Sequence, residues 1–405
     1  MANPFPDKIL NVRMYHVGFG DCFLLSFPSG NGHRHVLVDC GAHPKGTLGN
    51  LTEVAENIRD ITGNHLTAVV ATHRHQDHIW GFERGLKTFE TMTIDEVWLP
   101  WVEELGNPEA RAMWKNHDGA RAMLEARLKV AAAGPVQKAV AAVIANLKPN
   151  QVALDGLRSR FGRGIEGVRY LYGGYPDLVA PGGIDGLVVK VLGPPKTEAF
   201  LKRMRPPRAE RWAPAASVDG NGIHDLMDSP FDERWLDPDK GKYWEAEPSR
   251  VFDQVERDLF KERMADSMDL AFALEDAVNN SSLVLMFLIG KYGLLMTGDA
   301  QWGSWDSWMT GDIGEETFKR VTLFKLGHHG SHNATPRSII NRLPENLTVL
   351  VPTHNTPFPT IPEPDLMAAL ATRSKDRVVR SDNTGKLPSG CTSGDFWIDF
   401  QMETD

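Results

Sequence analysis

The seven residues Thr72-His73-Arg74-His75-Gln76-Asp77-His78 gather three imidazoles and a carboxylate into one short stretch. They follow an apolar run, Leu66-Thr67-Ala68-Val69-Val70-Ala71, which reads as a buried strand. A loop at a strand's carboxyl edge can turn several side chains toward one point, which a helix or strand interior cannot do with this spacing. Imidazole and carboxylate together suit zinc or a similar divalent ion. With 14 histidines among 405 residues, three at these offsets arise by chance in roughly 2% of chains this long, before the carboxylate is required. A His-rich surface loop is therefore the weaker reading.

Three other segments share this position after an apolar strand. Asp39 closes the run Val36-Leu37-Val38 and is followed closely by Gly41; Asp299 follows Leu294-Leu295-Met296-Thr297-Gly298; and Gly327-His328-His329-Gly330-Ser331 follows 321–326. Taken singly each is weak, since a Gly-Asp after a strand is usually a turn and a His-His pair is usually surface. Their common placement raises them, and the glycines allow close backbone approach.

The elements that must position these residues alternate. Strands are expected at 9–17, 22–27, 35–39, 66–71 and 95–100, with a helix at 51–61, where Leu51, Val54, Ala55 and Ile58 share a face. Residues 109–147 read as two helices split near Gly134-Pro135. Strand character returns at 168–172 and 187–192, then gives way to a Pro-, Trp- and charge-rich stretch whose later part, 249–277, reads as a helix. Strands resume at 283–289 and 294–297, followed by strand–helix alternation and a closing hairpin through Asn383-Thr384-Gly385. The simplest organisation is a single α/β domain over 1–405 with insertions at about 101–165 and 196–278. The number of strands calls for two packed sheets.

Composition bounds the function. Hydrophobic residues are 41% and charged residues 24%, ordinary for a soluble globular chain, and no apolar run reaches the length of a membrane span. No signal peptide is visible in Met1-Ala2-Asn3-Pro4-Phe5-Pro6-Asp7. Three cysteines, Cys22, Cys40 and Cys391, fit a reducing compartment better than a disulfide framework. The expectation is a cytoplasmic protein with no membrane partner. A formal charge of -9 does not indicate a general nucleic-acid binder.

Together these residues resemble the metallo-β-lactamase superfamily. The His73/His75/Asp77/His78 signature and Leu37-Val38-Asp39-Cys40-Gly41 carry the likeness. Val17-Gly18-Phe19-Gly20-Asp21, Val191-Leu192-Gly193-Pro194, Asn280-Ser281-Ser282-Leu283-Val284, Leu295-Met296-Thr297-Gly298-Asp299-Ala300 and His328-His329-Gly330-Ser331 are most similar to the corresponding domain of DNA-uptake competence proteins and to phosphorylcholine esterases. The resemblance covers about 1–100, 166–195 and 279–400 and leaves both insertions unexplained. It implies a four-layer αββα sandwich with two divalent metal ions at a strand-end edge, zinc first, with manganese or iron as alternatives. His73 and His75 would hold the first metal, and Asp77, His78 and His329 the second. Asp299 would bridge them, leaving His328 to face the substrate. Asp39 would orient a ligand, and a structural turn is the preferred role for His16 and Asp21. One departure stands out: Asn279-Asn280 occupies the place of a usual third imidazole, so Asn280 is assigned to ligand support or substrate contact. His224 and His117 are the candidates for a replacement ligand, though each reads more simply as a surface residue.

The implied activity is a metallo-hydrolase working through a metal-activated hydroxide, with Asp77 handling a proton and His328 stabilising an oxyanion. A phosphodiester substrate, extending to nuclease action, is the first reading. The basic runs Arg158/Arg160/Arg163 and Lys202/Arg203/Arg205/Arg208/Arg211 favour it, although a solvated face explains them as well. A small lactone, thioester or amide is the alternative, for which Trp212, Trp235 and Trp244 could line an apolar pocket. A non-catalytic binding module is the third reading, and the rich ligand set argues against it.

Overall fold

The computed structural model describes residues 5–30, 32–130, 135–201, 203, 206–212, 267–310, 314–333, 335–385 and 387–404. Two β-sheets face each other. The first holds β1 (Ile9–Tyr15), β2 (Cys22–Ser29), β3 (Gly32–Cys40), β4 (His65–Val70), β5 (Thr93–Pro100) and β6 (Val168–Leu171), with the C-terminal β14 (Cys391–Ser393) and β15 (Trp397–Glu403) beside β1. The second holds β7 (Leu178–Val179), β8 (Leu187–Gly193), β9 (Val284–Ile289), β10 (Tyr292–Met296), β11 (Leu323–Lys325), β12 (Thr348–Val351) and β13 (Val378–Arg380). Strands β3 to β6 run parallel, as do β10 to β13; the remaining pairings are antiparallel.

Period-2 alternation builds the sandwich. Leu10, Val12 and Met14 of β1 and Phe23, Leu25 and Phe27 of β2 meet Leu187, Val189 and Val191 of β8 and Leu285, Phe287 and Ile289 of β9. The rings of Phe27 and Phe287 stack at 6.0 Å. Each such buried side chain contributes roughly 1.5–3 kcal/mol relative to exposure. The alternate positions face outward and are covered by helices. Over the first sheet lie α1 (Leu51–Ile61), α2 (Gln76–Arg84) and α3 (Leu86–Thr91). This is the α/β metallo-β-lactamase-type sandwich that the sequence calls for.

The stretch expected as a first insertion contributes α4 (Pro108–Val130), α5 (Pro135–Asn146) and α6 (Gln151–Arg158). A short α7 (Glu198–Leu201) begins the second, and α8 (Ser267–Asn279) brings the chain back. Trp114, Leu124, Val143, Leu274 and Val278 pack α4, α5 and α8 into a helical subcore of their own. Over the second sheet lie α9 (Trp302–Thr310), α10 (Gly314–Lys319), α11 (Arg337–Arg342) and α12 (Pro364–Ser374). Of the helix expected at 249–277, only the part from Ser267 lies among the described residues. Among those residues no helix is long and apolar enough to cross a membrane.

The closing hairpin differs from expectation. Residues 383–385 lie in the connection between sheets, because β13 pairs in parallel with β12 while β14 pairs with β15. The hairpin turn falls instead at Gly394-Asp395-Phe396.

Candidate metal centre

The carboxyl ends of β3, β4, β10 and β11 lie on one edge of the sandwich. This is the position where parallel strands commonly present ligand-binding loops. The motif loop leaves β4 and enters α2 at once. His75 stands at the N-cap position with its side chain free of any capping bond, and Asp77 and His78 sit in the first turn. The loop is clamped on both sides: Asp77 N–H donates to Asn146 Oδ1 at 3.1 Å, and Asp21 N–H donates to the Asp77 carbonyl at 2.8 Å. Gly41 is required here, since a Cβ on it would lie 2.4 Å from the backbone nitrogen of His78. Asp39, His328 and His329 all adopt left-handed backbone, with φ of 57°, 46° and 55°, which is uncommon for residues with a side chain and concentrates at functional sites.

The structure brings His73, His75, Asp77, His78, Asp299 and His329 together, and all six are buried. One ligand atom each from Asp77, His78, Asp299 and His329 lies within 4.8 Å of the others, and His73, His75 and Asp77 form a second such group. The tautomers follow from the outer contacts. His78 Nδ1 donates to Asp39 Oδ2 at 2.7 Å and His329 Nδ1 donates to the Pro352 carbonyl at 2.8 Å. That leaves Nε2 of each to face the centre, 3.1 Å and 3.8 Å from Asp299 Oδ2. Asp39 is fixed in turn by the Thr72 backbone N–H and hydroxyl, both at 2.7 Å. A carboxylate behind a ligating histidine is the usual way to set its orientation. In the other group His73 Nε2 faces His75 Nδ1 at 3.0 Å, with Ser282 Oγ 3.1 Å from His73 Nδ1.

Divalent ions fit these residues. His75 Nε2, Asp77 Oδ1, His78 Nε2 and Asp299 Oδ2 are buried without a hydrogen-bond partner, a costly arrangement for a structure that leaves them so. Burial alone would lower the pKa of His78 and His329, but Asp299, with Asp21 and others behind it, holds both above the ordinary value. Burial would likewise raise Asp77, yet the His329 hydrogen bond and the charge of His78 hold it below the usual carboxylate range. Protons and metal thus compete for the same nitrogens.

The remaining candidates are placed as follows. His328 lies outside both groups, with Nε2 3.3 Å from Asn279 Nδ2 and Nδ1 2.9 Å from Ser331 Oγ. Asn280 turns away from the centre: its amide donates to the Phe200 and Leu201 carbonyls at 3.1 and 2.8 Å, and its Oδ1 accepts from Ser304 N–H. Because α8 ends at Asn279, the next side chain emerges on the opposite side, so Asn279, rather than Asn280, faces the site. His117 Nε2 contacts the Leu274 carbonyl at 3.3 Å, tying α4 to α8, and His224 lies outside the described residues. His16 is not in either ligand group, whereas Asp21 is drawn in beside His78 and His329, at 3.7 and 3.6 Å.

Sequence reasoning passed over several contributors. Asn146 and Asn150 brace the motif, the latter donating to the Arg74 carbonyl at 3.0 Å. Glu275 and Asp276 lie buried on α8, and Asp276 Oδ1 accepts from Gln301 at 2.6 Å. Lys325, buried on β11, meets Asp21 and Asp299. Five of the basic residues make internal contacts. Arg158 pairs with Glu103 at 2.7 Å, Arg160 donates to the Asp95 carbonyl, Arg163 to that of Glu90 and Arg211 to that of Pro206. Arg203 pairs with Asp306, while Lys202 and Arg205 lie outside the described residues. Trp212 packs in the core outside the second sheet, and Trp235 and Trp244 lie outside the described residues.

Residues 16–94 match the family model of the metallo-beta-lactamase superfamily. That segment contains Asp39 and the whole Thr72–His78 motif, and the match supports the superfamily whose members are mostly hydrolases. No curated protein matches the chain.

Proposed function

We propose that this protein is a metal-dependent hydrolase whose substrate is a compact phosphodiester. The observation that carries the reading is the buried group Asp77, His78, Asp299 and His329, four ligand atoms within 4.8 Å, with the outer nitrogen of each imidazole already committed. A divalent ion bound there would polarise the scissile group and lower the pKa of water. The protein's own residues would do the rest. Asp77 Oδ1, buried and without a partner, is the acceptor placed to take a proton from an attacking water. Asn279 Nδ2, at the edge of the centre beside His328, can donate its second proton to oxygens on which negative charge grows, with His328 Nε2 accepting the first and so fixing the amide. Zinc suits the mixed imidazole–carboxylate set.

The likeness of the strand-end segments to phosphorylcholine esterases and competence proteins supports a phosphodiester. The engagement of Arg158, Arg160, Arg163 and Arg211 in internal contacts supports a compact one, because a long polyanion needs free cations along its path. A second reading, a small neutral lactone or ester, is favoured by Glu275 and Asp276. Burial raises Glu275 well above the usual carboxylate range, helped by Asp276, Asp77 and Asp299, and neither carboxyl group offers a cation to a phosphodiester.

The test pairs elemental analysis with turnover of bis-p-nitrophenyl phosphate and of a lactone and thioester panel. Metal-dependent cleavage of the phosphodiester is expected. Full metal content with turnover of lactones alone would replace the first reading by the second.

A further inference from the structure

Resting on the reading of this cluster as a metal centre, we propose that Lys325 is a positioning residue that limits Asp299 to one ligand oxygen. Lys325 is 1% exposed at the end of β11, following Leu323 and Phe324. An ammonium has three donors, and all three are engaged: Asp21 Oδ2 takes one, the Gly298 carbonyl another at 2.8 Å, and Asp299 Oδ1 the third at 3.3 Å. Asp299 Oδ1 also accepts the His328 backbone N–H at 2.9 Å, so it carries two donors, one of them a cation. Asp299 Oδ2 carries no hydrogen bond and is the oxygen that faces His78 and His329.

A carboxylate with both oxygens free can chelate one ion or span two with separate oxygens. Here Oδ1 is withdrawn from that choice. Asp299 can join two ions only through the single atom Oδ2, and it cannot close a bidentate ring on either. The effect is to keep coordination low and leave a position open for water or substrate, which distinguishes catalytic from structural sites. Asp21 completes the device: it shares the ammonium's charge with Asp299, and its backbone N–H binds the Asp77 carbonyl. The Asp21, Asp39 and His78 group is accordingly no third ion site, since the Lys325 cation already lies against Asp21 and Thr72 saturates Asp39.

A buried lysine could also serve only to balance charge, and a charge-balanced variant separates the two roles. Lys325→Met combined with Asp21→Asn removes one charge of each sign and takes the cation off Asp299 Oδ1, leaving that oxygen only the His328 N–H. With cobalt(II) as the probe, the full chain should still take up metal. Its visible absorption per bound cobalt should lose intensity relative to wild type as coordination number rises, and turnover should fall by about 10–100-fold. Asp21→Asn alone leaves the Lys325 bonds to Asp299 and Gly298 in place and should keep the wild-type spectrum. A double variant with the wild-type cobalt spectrum, or an Asp21→Asn spectrum changed while Lys325 is intact, overturns the inference. Wild-type protein that binds no cobalt would instead overturn the metal-centre reading beneath it.

Discussion

The group Asp77, His78, Asp299 and His329 and the pair His73 and His75 sit on the same edge but are supported unequally. The four-residue group draws ligands from both sheets. Each of its imidazoles has a dedicated acceptor behind it, Asp39 for His78 and the Pro352 carbonyl for His329. The pair has two nitrogens facing each other at 3.0 Å, the Ser282 and Thr72 hydroxyls but no carboxylate behind His73, and for its third member only Asp77, which it shares with the other group. Asn279, which stands in the sequence where the resemblance leads one to expect a further imidazole, has a buried Oδ1 with no hydrogen-bond partner. An amide is a poor zinc ligand. If each group holds an ion, this difference would make one firm and one loosely held, with the two coupled through Asp77.

The largest expected effect follows from that coupling. Asp77→Ala should remove a ligand from both groups, abolish binding of both ions and lower turnover by about 10²–10⁴-fold. His75→Ala should cost the loosely held ion alone. Metal per chain, measured alongside turnover for the two variants, separates them. One firmly retained ion in Asp77→Ala would mean that the groups do not share this carboxylate, and the sequence-based assignment of Asp77 to a single metal would stand.

What was legible in the sequence was whatever follows an apolar strand. Thr72–His78, Asp299 and His329 announce themselves because a run such as Leu294-Leu295-Met296 ends and a ligand-type residue begins. The sandwich follows from the same alternation. Lys325 could not be found this way, because it lies inside a strand run where a charge reads as an interruption; only the approach of β2's leading loop shows that Asp21 awaits it. Asn146 and Glu275 belong to insertion helices whose patterns give their own subcore and not what they lean against. The choice between Asn279 and Asn280 turns on the residue at which α8 stops, a boundary that pattern reading does not resolve. The turn signal Asn383-Thr384-Gly385 is real, but a turn can as well carry the chain from one sheet to the other.

A smaller effect is expected when the inequality itself is titrated. With increasing chelator, the ion at His73 and His75 should leave before the ion at Asp77, His78, Asp299 and His329, and activity should follow the first loss. Asn279→His should close the gap, tightening the weaker ion by about tenfold or more, the scale on which neighbouring groups alter metal affinity. Asn280→His should not, since its amide is engaged by Phe200, Leu201 and Ser304. Metal stoichiometry during chelation is the measurement. Two ions leaving together in wild type and in Asn279→His would show the sites to be equivalent.

The smallest expected change in metal behaviour, none at all, comes from His35, which shares β3 with Asp39. The two histidines tied to this strand are opposites. His78 has Asp39, Asp299 and Asp21 around it and is held above its ordinary pKa. His35 is buried against Ser26 Oγ at 2.9 Å; burial first, then the charges of His33, His65 and Arg34, lower it to about 3. Its neutral form is therefore the one the fold accepts. Above the unfolded value of about 6.5 both states are neutral and His35 costs nothing. As pH falls from there toward about 3 the unfolded chain takes up a proton that the folded chain refuses, so stability drops, by up to a few kcal/mol. His35→Gln, which cannot ionise, should flatten this acid limb in denaturation measured between pH 7 and 4, while the chelator titration at neutral pH stays as in wild type. An acid limb unchanged in His35→Gln would assign the loss to other groups that the fold holds below their ordinary pKa, His75 and Asp77 among them.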